Sequence, residues 1–415
     1  MYILNLLTRG LVSLSIFSVV AWSSDVPLTL DQTVSIALQR QDASVQTYSA
    51  RAASEDALAV SAGQLPDPKV KFGVANIAAD SFDFNQEPMT QLQFGVHQTF
   101  LTGKKRSLAR LKGHAQGDAY RHMARARELA IMLEVRTLWL NIHMLENVRS
   151  IIVAKQQQMQ SLQDAITNDF AQGDSAARFL FQGEAELALL ADKIEDTDQK
   201  IFRFRAMLGR YVGQENAARP ISGGVDLSMP KPSEVLPEFI EQHPRVQREE
   251  ALVEAAEKGI ALAEEAYKPN VGLDLGYGVR AGGRSDMASA MISVDVPLFT
   301  EKRQDKILSA SKQARQSSML AKQSVVMDML RDMRASFEVW TRSAKRIELY
   351  QKVVLDRARA ASEATERSYA AGSADFSEII GRHISELDAH LALEKIKFER
   401  AAAQAELLYL EGAGA

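Results

Sequence analysis

Gln98-Thr99-Phe100-Leu101-Thr102-Gly103-Lys104-Lys105 and Val296-Pro297-Leu298-Phe299-Thr300-Glu301-Lys302-Arg303 stand 198 residues apart and share one design. Each closes a run of alternating apolar and polar residues. Each then opens a long stretch that proline does not enter. Upstream of the first junction, Leu92, Phe94 and Val96 oppose Gln93, Gly95 and His97. Before them, Val70, Phe72 and Val74 oppose Lys69, Lys71 and Gly73. Upstream of the second, Val271, Leu273, Leu275, Tyr277 and Val279 oppose Gly272, Asp274, Gly276 and Gly278. Ile292, Val294, Val296 and Leu298 oppose Met291, Ser293 and Asp295. A period of two marks strands with one apolar and one polar face, here over about 69–77, 90–100, 270–280 and 288–298. The loops between partners, Asp80 to Thr90 and Ala281 to Asp286, are polar or small. Strands of about 9–11 residues suit a membrane barrel with a watery lumen, although a soluble half-buried sheet alternates in the same way. Four strands cannot close a barrel, so the membrane reading demands several copies of the chain.

Downstream of the junctions the pattern changes to rods. None of the 11 prolines lies between Met89 and Arg219, and none follows Pro297. Proline breaks a helix by ring clash and by loss of a donor, so these gaps are where long helices can run. Residues 104–168 are interrupted only by Gly113 and Gly117, and from Glu301 to Ala371 there is neither glycine nor proline. At about 1.5 Å per residue the second stretch could span about 105 Å. Long helices are predicted over about 104–168 and 301–368. Their apolar stripes (Ile131, Val135, Leu138, Leu145; Val325, Met329, Met333, Trp340) are broader than a coiled-coil seam, as suits a helix with neighbours on two sides. The methionines in them read as packing residues.

The two halves repeat. Pro68-Lys69-Val70 matches Pro269-Asn270-Val271 at an offset of 201, and Phe170-Ala171-Gln172-Gly173 matches Tyr369-Ala370-Ala371-Gly372 at 199. Matched order at a near-constant offset marks an internal duplication. Each half reads helix, strand, strand, rod, reversal at glycine, helix. The predicted organisation is a signal over 1–23, a first repeat over 24–212, a connection over 213–238 and a second repeat over 239–412. Pro220, Pro230, Pro232 and Pro237 mark the connection.

Composition narrows the chemistry. The 415 residues contain no cysteine, which removes disulfides, thiol catalysis, thiolate metal sites and an acylated cysteine. A net charge of -4 gives no basic face for nucleic acid. Mean hydropathy of -0.17 is too low for a bundle of apolar membrane helices. Aromatic residues are 7 %, lean for a thick core. At the N-terminus, Arg9 precedes an apolar run from Leu11 to Trp22, and Ala21 and Ser23 are small. This is the pattern of an export signal cut after Ser23, with a retained anchor helix as the other reading.

With these residues assembled, the chain resembles the outer-membrane efflux proteins of the TolC type, over nearly all of its mature length. The segment Gly63-Gln64-Leu65-Pro66-Asp67-Pro68-Lys69-Val70, followed by Gly73-Val74 and Asn76, is similar to the start of the first strand in the heavy-metal-cation branch, the CzcC and CusC types. The compact length and Gly103-Lys104-Lys105-Arg106 also look like that branch. The resemblance implies a mainly α chain with membrane β-strands. Three copies would close a twelve-stranded β-barrel, four strands per protomer, continued by a long α-helical tunnel in the periplasm. It implies a Gram-negative outer-membrane location without lipidation, no enzymatic activity and no cofactor. Its partners would be its own copies in a homotrimer, outer-membrane lipid, a periplasmic adaptor and an inner-membrane resistance–nodulation–division pump.

The resemblance also nominates residues. A Tyr/Phe-x-x-Gly motif at the helical reversals would form the adaptor-docking tip, here Phe170 and Gly173, and Tyr369 and Gly372. An acidic ring would narrow the tunnel mouth, with Glu378 at the matching position. The next acidic position of the family falls on Gly381, and Asp375 is a possible substitute on another part of the helical turn. The first-repeat counterpart of Glu378 is Phe179. The bland readings are turn residues at the tip and a solvated helix-start acid at Glu378. The seven histidines are scattered; His383 and His390 read as packing or solvated positions, and His97 as a polar-face residue. No catalytic or metal constellation is present in the sequence. The leading reading is a passive efflux duct, with heavy-metal cations ahead of drugs or organic compounds as cargo. A non-conducting coiled-coil scaffold is the alternative from another class, and it leaves the four alternating strands unexplained.

Overall fold

The computed structural model describes residues 26–171, 177–224 and 236–412. The expected signal over 1–23, the tip glycine Gly173 and residues 225–235 of the expected connection lie outside them. Two short helices open the fold. Helix α1, Leu30–Gln39, starts at a capping box in which Thr29 and Gln32 satisfy each other's backbone N–H groups. Helix α2, Ala43–Ala62, starts at Asp42, whose carboxylate accepts the Ser44 N–H at 2.8 Å. Pro66 and Pro68 prevent its continuation.

Strands β1, Lys69–Ala75, and β2, Gln91–Phe100, follow, and the first rod α3 runs unbroken over Lys105–Ala171. The chain returns along α4, Ala177–Val212. The short helices α5, Gln214–Ala218, and α6, Leu236–Gln242, lead to α7, Pro244–Glu265, which begins with proline at its first position. Strands β3, Asn270–Arg280, and β4, Met287–Asp295, precede the second rod. That rod is α8, Gln304–Leu349, then a π-turn at Tyr350–Val354, then α9, Leu355–Ala370. Helix α10, Phe376–Leu410, returns.

Three boundaries differ from the sequence reading. Strand β1 stops at Ala75 rather than 77, because Asn76 takes a left-handed backbone with φ of 57°. Strand β4 covers 287–295 rather than 288–298. Alternation continues to Leu298, but the last pair is Asn270 with Asp295; Pro269 precedes one partner and Pro297, without an N–H, follows the other. The second rod, expected as one helix over 301–368, is divided by the π-turn, in which the Leu355 N–H reaches back to the Tyr350 carbonyl. The repeat offsets account for this turn. They rise from 198 at the strand–rod junction to 199 at the tip, so the second rod carries one more residue than the first. A π-turn absorbs one extra residue without changing the helix direction.

The four strands form one antiparallel sheet in chain order. The two expected hairpins are joined through β2 and β3, with Phe94 opposite Tyr277 and Val96 opposite Leu275. Strands β1 and β4 are the open edges among the described residues, and every residue of β4 is exposed. The expected connection holds more order than its prolines suggest. Leu28 bridges in parallel to Ile221, Arg219 donates to the Val26 carbonyl at 2.8 Å, and Trp139 Nε1 donates to the Leu28 carbonyl at 3.0 Å. Around this level lies the main core, built from Val135, Ile142, Leu208, Met329 and Leu407. Met329 is fully buried, as the packing reading requires, whereas Met327 faces outward. A second core, with Ile152, Met159, Leu190 and Phe376, supports the far end of the rods.

Candidate functional site

The sheet has two chemically distinct faces. On one, Val70, Phe72, Phe94, Leu275, Tyr277 and Ile292 lie in register across the strands and are exposed to between 46 % and 81 %. Among the described residues, no helix packs on this apolar side. On the other face, Lys71, Gln93, Gly95, Asp274, Gly276 and Ser289 line a concavity of about 530 Å³. Glycine is needed there: a Cβ on Gly272 would meet His97 and Ser293, and one on Gly278 would meet Gln91. Lys71 and Asp274 form an ion pair across the intervening strand. His97 Nδ1 lies 2.8 Å from the same carboxylate, and its Nε2 lies 3.1 Å from the Thr99 hydroxyl. His97 is therefore a polar-face residue, as its register predicts. Its link to Asp274 was not legible, because it depends on pairing between the two hairpins.

At the far end of the rods, α9 terminates in a Schellman turn. Gly372 has φ of 72°; its N–H donates to the Tyr369 carbonyl at 2.8 Å, and the Ser373 N–H donates to the Ser368 carbonyl at 2.8 Å. Glycine tolerates that backbone, which makes the reversal sharp. Tyr369 packs against Phe376, the first residue of α10, with ring centroids 6.3 Å apart. Phe179 meets the same Phe376 edge-on at 6.2 Å, tying the two reversals together. In the first repeat α3 reaches Ala171; Gly173 and the side chain of Phe170 are outside the described residues. Asp375 is the N-cap of α10, and its carboxylate accepts the Glu378 N–H at 3.0 Å. Glu378 sits in the first turn and is exposed. The two candidate acids thus differ in role: Asp375 is engaged with its own helix, and Glu378 is free to face whatever the tip surrounds.

A buried polar cluster lies behind the tip. Lys155 of α3 is 7 % exposed, with its Nζ 2.8 Å from Glu386 Oε2 and 3.3 Å from His383 Nδ1 on α10. His383 Nε2 faces Glu366 of α9 at 2.9 Å. Burial, reinforced by the Lys155 charge, pushes the His383 pKa down. Burial alone would raise the Glu386 pKa, but Lys155 outweighs it and the carboxyl stays below its usual range. Sequence reading missed Lys155, although Ile152 and Met159 place it on the buried stripe at helical spacing. His383 is a packing residue of this cluster. Among the described residues no group of three His, Asp or Glu side chains converges as a metal site, and no helix is long and apolar enough to cross a membrane.

Comparison with known proteins follows this geometry. Residues 235–413 match the family described as Outer membrane efflux protein. No curated protein sequence matches the chain. Among solved structures, CusC, described in terms of folding and transmembrane channel formation, is 14 % identical with a TM-score of 0.80, covering 96 % of both chains. The outer membrane protein VceC of Vibrio cholerae is 15 % identical with a TM-score of 0.77, covering 93 % of this chain and 96 % of its own. The MtrE outer membrane channel of Neisseria gonorrhoeae, in its open state, is 15 % identical with a TM-score of 0.72, covering 93 % and 89 %. At these identities the likeness is one of fold. The second repeat thus matches the outer membrane efflux family, a family of non-enzymatic transport channels, and the chain as a whole has the fold of such channels.

Proposed function

We propose that this chain is the outer-membrane duct of a tripartite efflux system and conducts its cargo passively. The observation that carries the reading is the sheet: one apolar face left uncovered, one polar concave face, and two open edges. In lipid every backbone donor and acceptor must be satisfied, so such edges call for closure by further copies. Three copies give a twelve-stranded barrel with the apolar face toward lipid and the Lys71–Asp274–His97 face toward water. The rods α3, α4, α8, α9 and α10 then form the wall of a periplasmic tunnel. Energy comes from an inner-membrane pump of the resistance–nodulation–division kind, joined by a periplasmic adaptor. The adaptor docks on the reversals at Phe170–Gly173 and Tyr369–Gly372, and at the second of these a Schellman turn supplies an exposed tip.

Heavy-metal cations are the proposed cargo, on the strength of the Gly63–Asn76 segment. Three copies of the exposed Glu378 would form an acidic ring at the tunnel mouth, attracting cations, with Asp375 holding the helix start beneath it. The reading is tested by heat-modifiable migration of the membrane-extracted protein together with single-channel recording in a planar bilayer. A water-soluble, non-conducting product would leave only the scaffold. Within a conducting protein, Glu378→Gln is expected to lower the cation-over-anion permeability ratio measured in a salt gradient. An unchanged ratio removes the ring.

A further inference from the structure

We propose that the junction between sheet and rods is a docking collar for the headgroups of anionic phospholipids. The inference rests on the duct reading, because it requires the sheet to sit in a membrane. Strands β2 and β4 run toward the rods, and β1 and β3 follow helices α2 and α7, so residues just outside Phe100, Asn270 and Asp295 share one end of the sheet. That end is rich in unpaired cations. Lys104 and Arg106 follow β2; Lys302, Arg303 and Lys306 follow β4. All five are exposed, and none has an ion-pair partner among the described residues. Of the nearby acids, Glu265 is held by the Lys104 N–H at 2.8 Å and by Lys268, and Asp305 accepts the Tyr267 hydroxyl at 2.5 Å; Asp295 and Glu301 also lie at this end, beside the five exposed cations.

Next to Lys302 and Arg303 in the chain is bare apolar surface. Val296, Leu298 and Phe299, which follow the last residue of β4, are 60 %, 74 % and 82 % exposed. An aromatic residue at the end of an apolar band, with ammonium and guanidinium groups just beyond it, matches the boundary between acyl chains and phosphates. The far end of the sheet has the opposite balance, with Asp80, Asp83, Glu87 and Asp286 against Arg280 and Arg284. This polarity favours headgroup phosphate at the rod end and sets the direction in which the barrel sits. The internal duplication supplies the motif twice per protomer, at Gly103-Lys104-Lys105-Arg106 and at Glu301-Lys302-Arg303.

The test measures retention of fluorescent phosphatidylglycerol and phosphatidylcholine by the purified full-length protein in mixed micelles. Phosphatidylglycerol is expected to be preferred roughly five- to tenfold at low salt, as cations beside an anionic surface predict. The preference should fall toward unity at high salt, where exposed charges are screened. A variant with Lys104→Gln, Arg106→Gln, Lys302→Gln, Arg303→Gln and Lys306→Gln should lose it while conducting in planar bilayers. Equal retention of the two lipids by a conducting wild-type protein overturns the collar and leaves the duct. A preference undiminished in the variant also overturns it. Binding to peptidoglycan sacculi that the substitutions abolish, with lipid retention unchanged, assigns the cations to a different partner. A protein that stays in solution without detergent overturns both readings.

Discussion

His243 shows how a single side chain carries a pH dependence into the fold. It caps α7, accepting the Arg245 N–H at Nδ1, while Nε2 lies 3.1 Å from the Tyr409 carbonyl. That arrangement fits the neutral ring with its proton on Nε2. Burial lowers its pKa to about 4. The unfolded chain therefore binds a proton that the folded chain refuses, over the window between about 6.5 and 4. Stability is full above that window and falls with acid by about 1.4 kcal/mol per pH unit within it. Denaturation followed by far-ultraviolet circular dichroism at pH 7 and 4.5 should show His243→Gln closing on wild type by about 2–3 kcal/mol. Parallel loss in both proteins would mean that other groups set the acid limit. Other residue roles were readable earlier: Gly372 at the reversal follows from its place in the repeat, and its positive φ is the physical reason. That Asp375 caps α10 was less plain, because a carboxylate at a helix start shows its bond to the Glu378 N–H only in the structure.

Among the elements, α3, α9 and α10 are joined by charges where a purely apolar seam would be expected. Helical spacing from Ile152 and Met159 points Lys155 inward, but its partner Glu386, on another helix, became visible only with the helices in place. Lys155→Met should destabilise the rods by about 3–5 kcal/mol, because it strands a buried carboxylate. Adding Glu386→Leu should recover most of the loss, which denaturant titration of the two variants would measure. No recovery would mean that Lys155 acts through its remaining neighbours. The alternation of Val70 to Val74 and the proline-free stretches gave the strands and rods from sequence. The π-turn left only a one-residue change in the repeat offset. Deleting Lys352 from that turn should convert the rod to uninterrupted α-helix and keep the heat-modifiable migration of the proposed trimer. Deleting Met144 from α3, which has no such turn, rotates everything beyond it by about 100° and should abolish assembly. Equal damage from the two deletions would argue against the turn as the site of the extra residue.

For the whole molecule, the two faces of the sheet make opposite demands on substitution. Leu275 lies mid-strand on the apolar face and is 53 % exposed. In the proposed barrel, Leu275→Arg should cost about 2–4 kcal/mol against lipid and remove the protein from the membrane fraction. Gln93→Arg, on the concave face, should leave membrane assembly intact and lower single-channel conductance. Membrane recovery of both at wild-type levels would remove the lipid-facing assignment. The same sheet also constrains how the molecule is made. His97 and Asp274, neighbours in the finished sheet, are 177 residues apart in the chain. A lone two-stranded hairpin is marginal in water, and pairings this distant close slowly. The first hairpin must therefore wait, apolar face bare and edge unpaired, until synthesis delivers the second. That interval is when the chain is most exposed to misassembly, and a holding chaperone would act on the nascent β1–β2 hairpin.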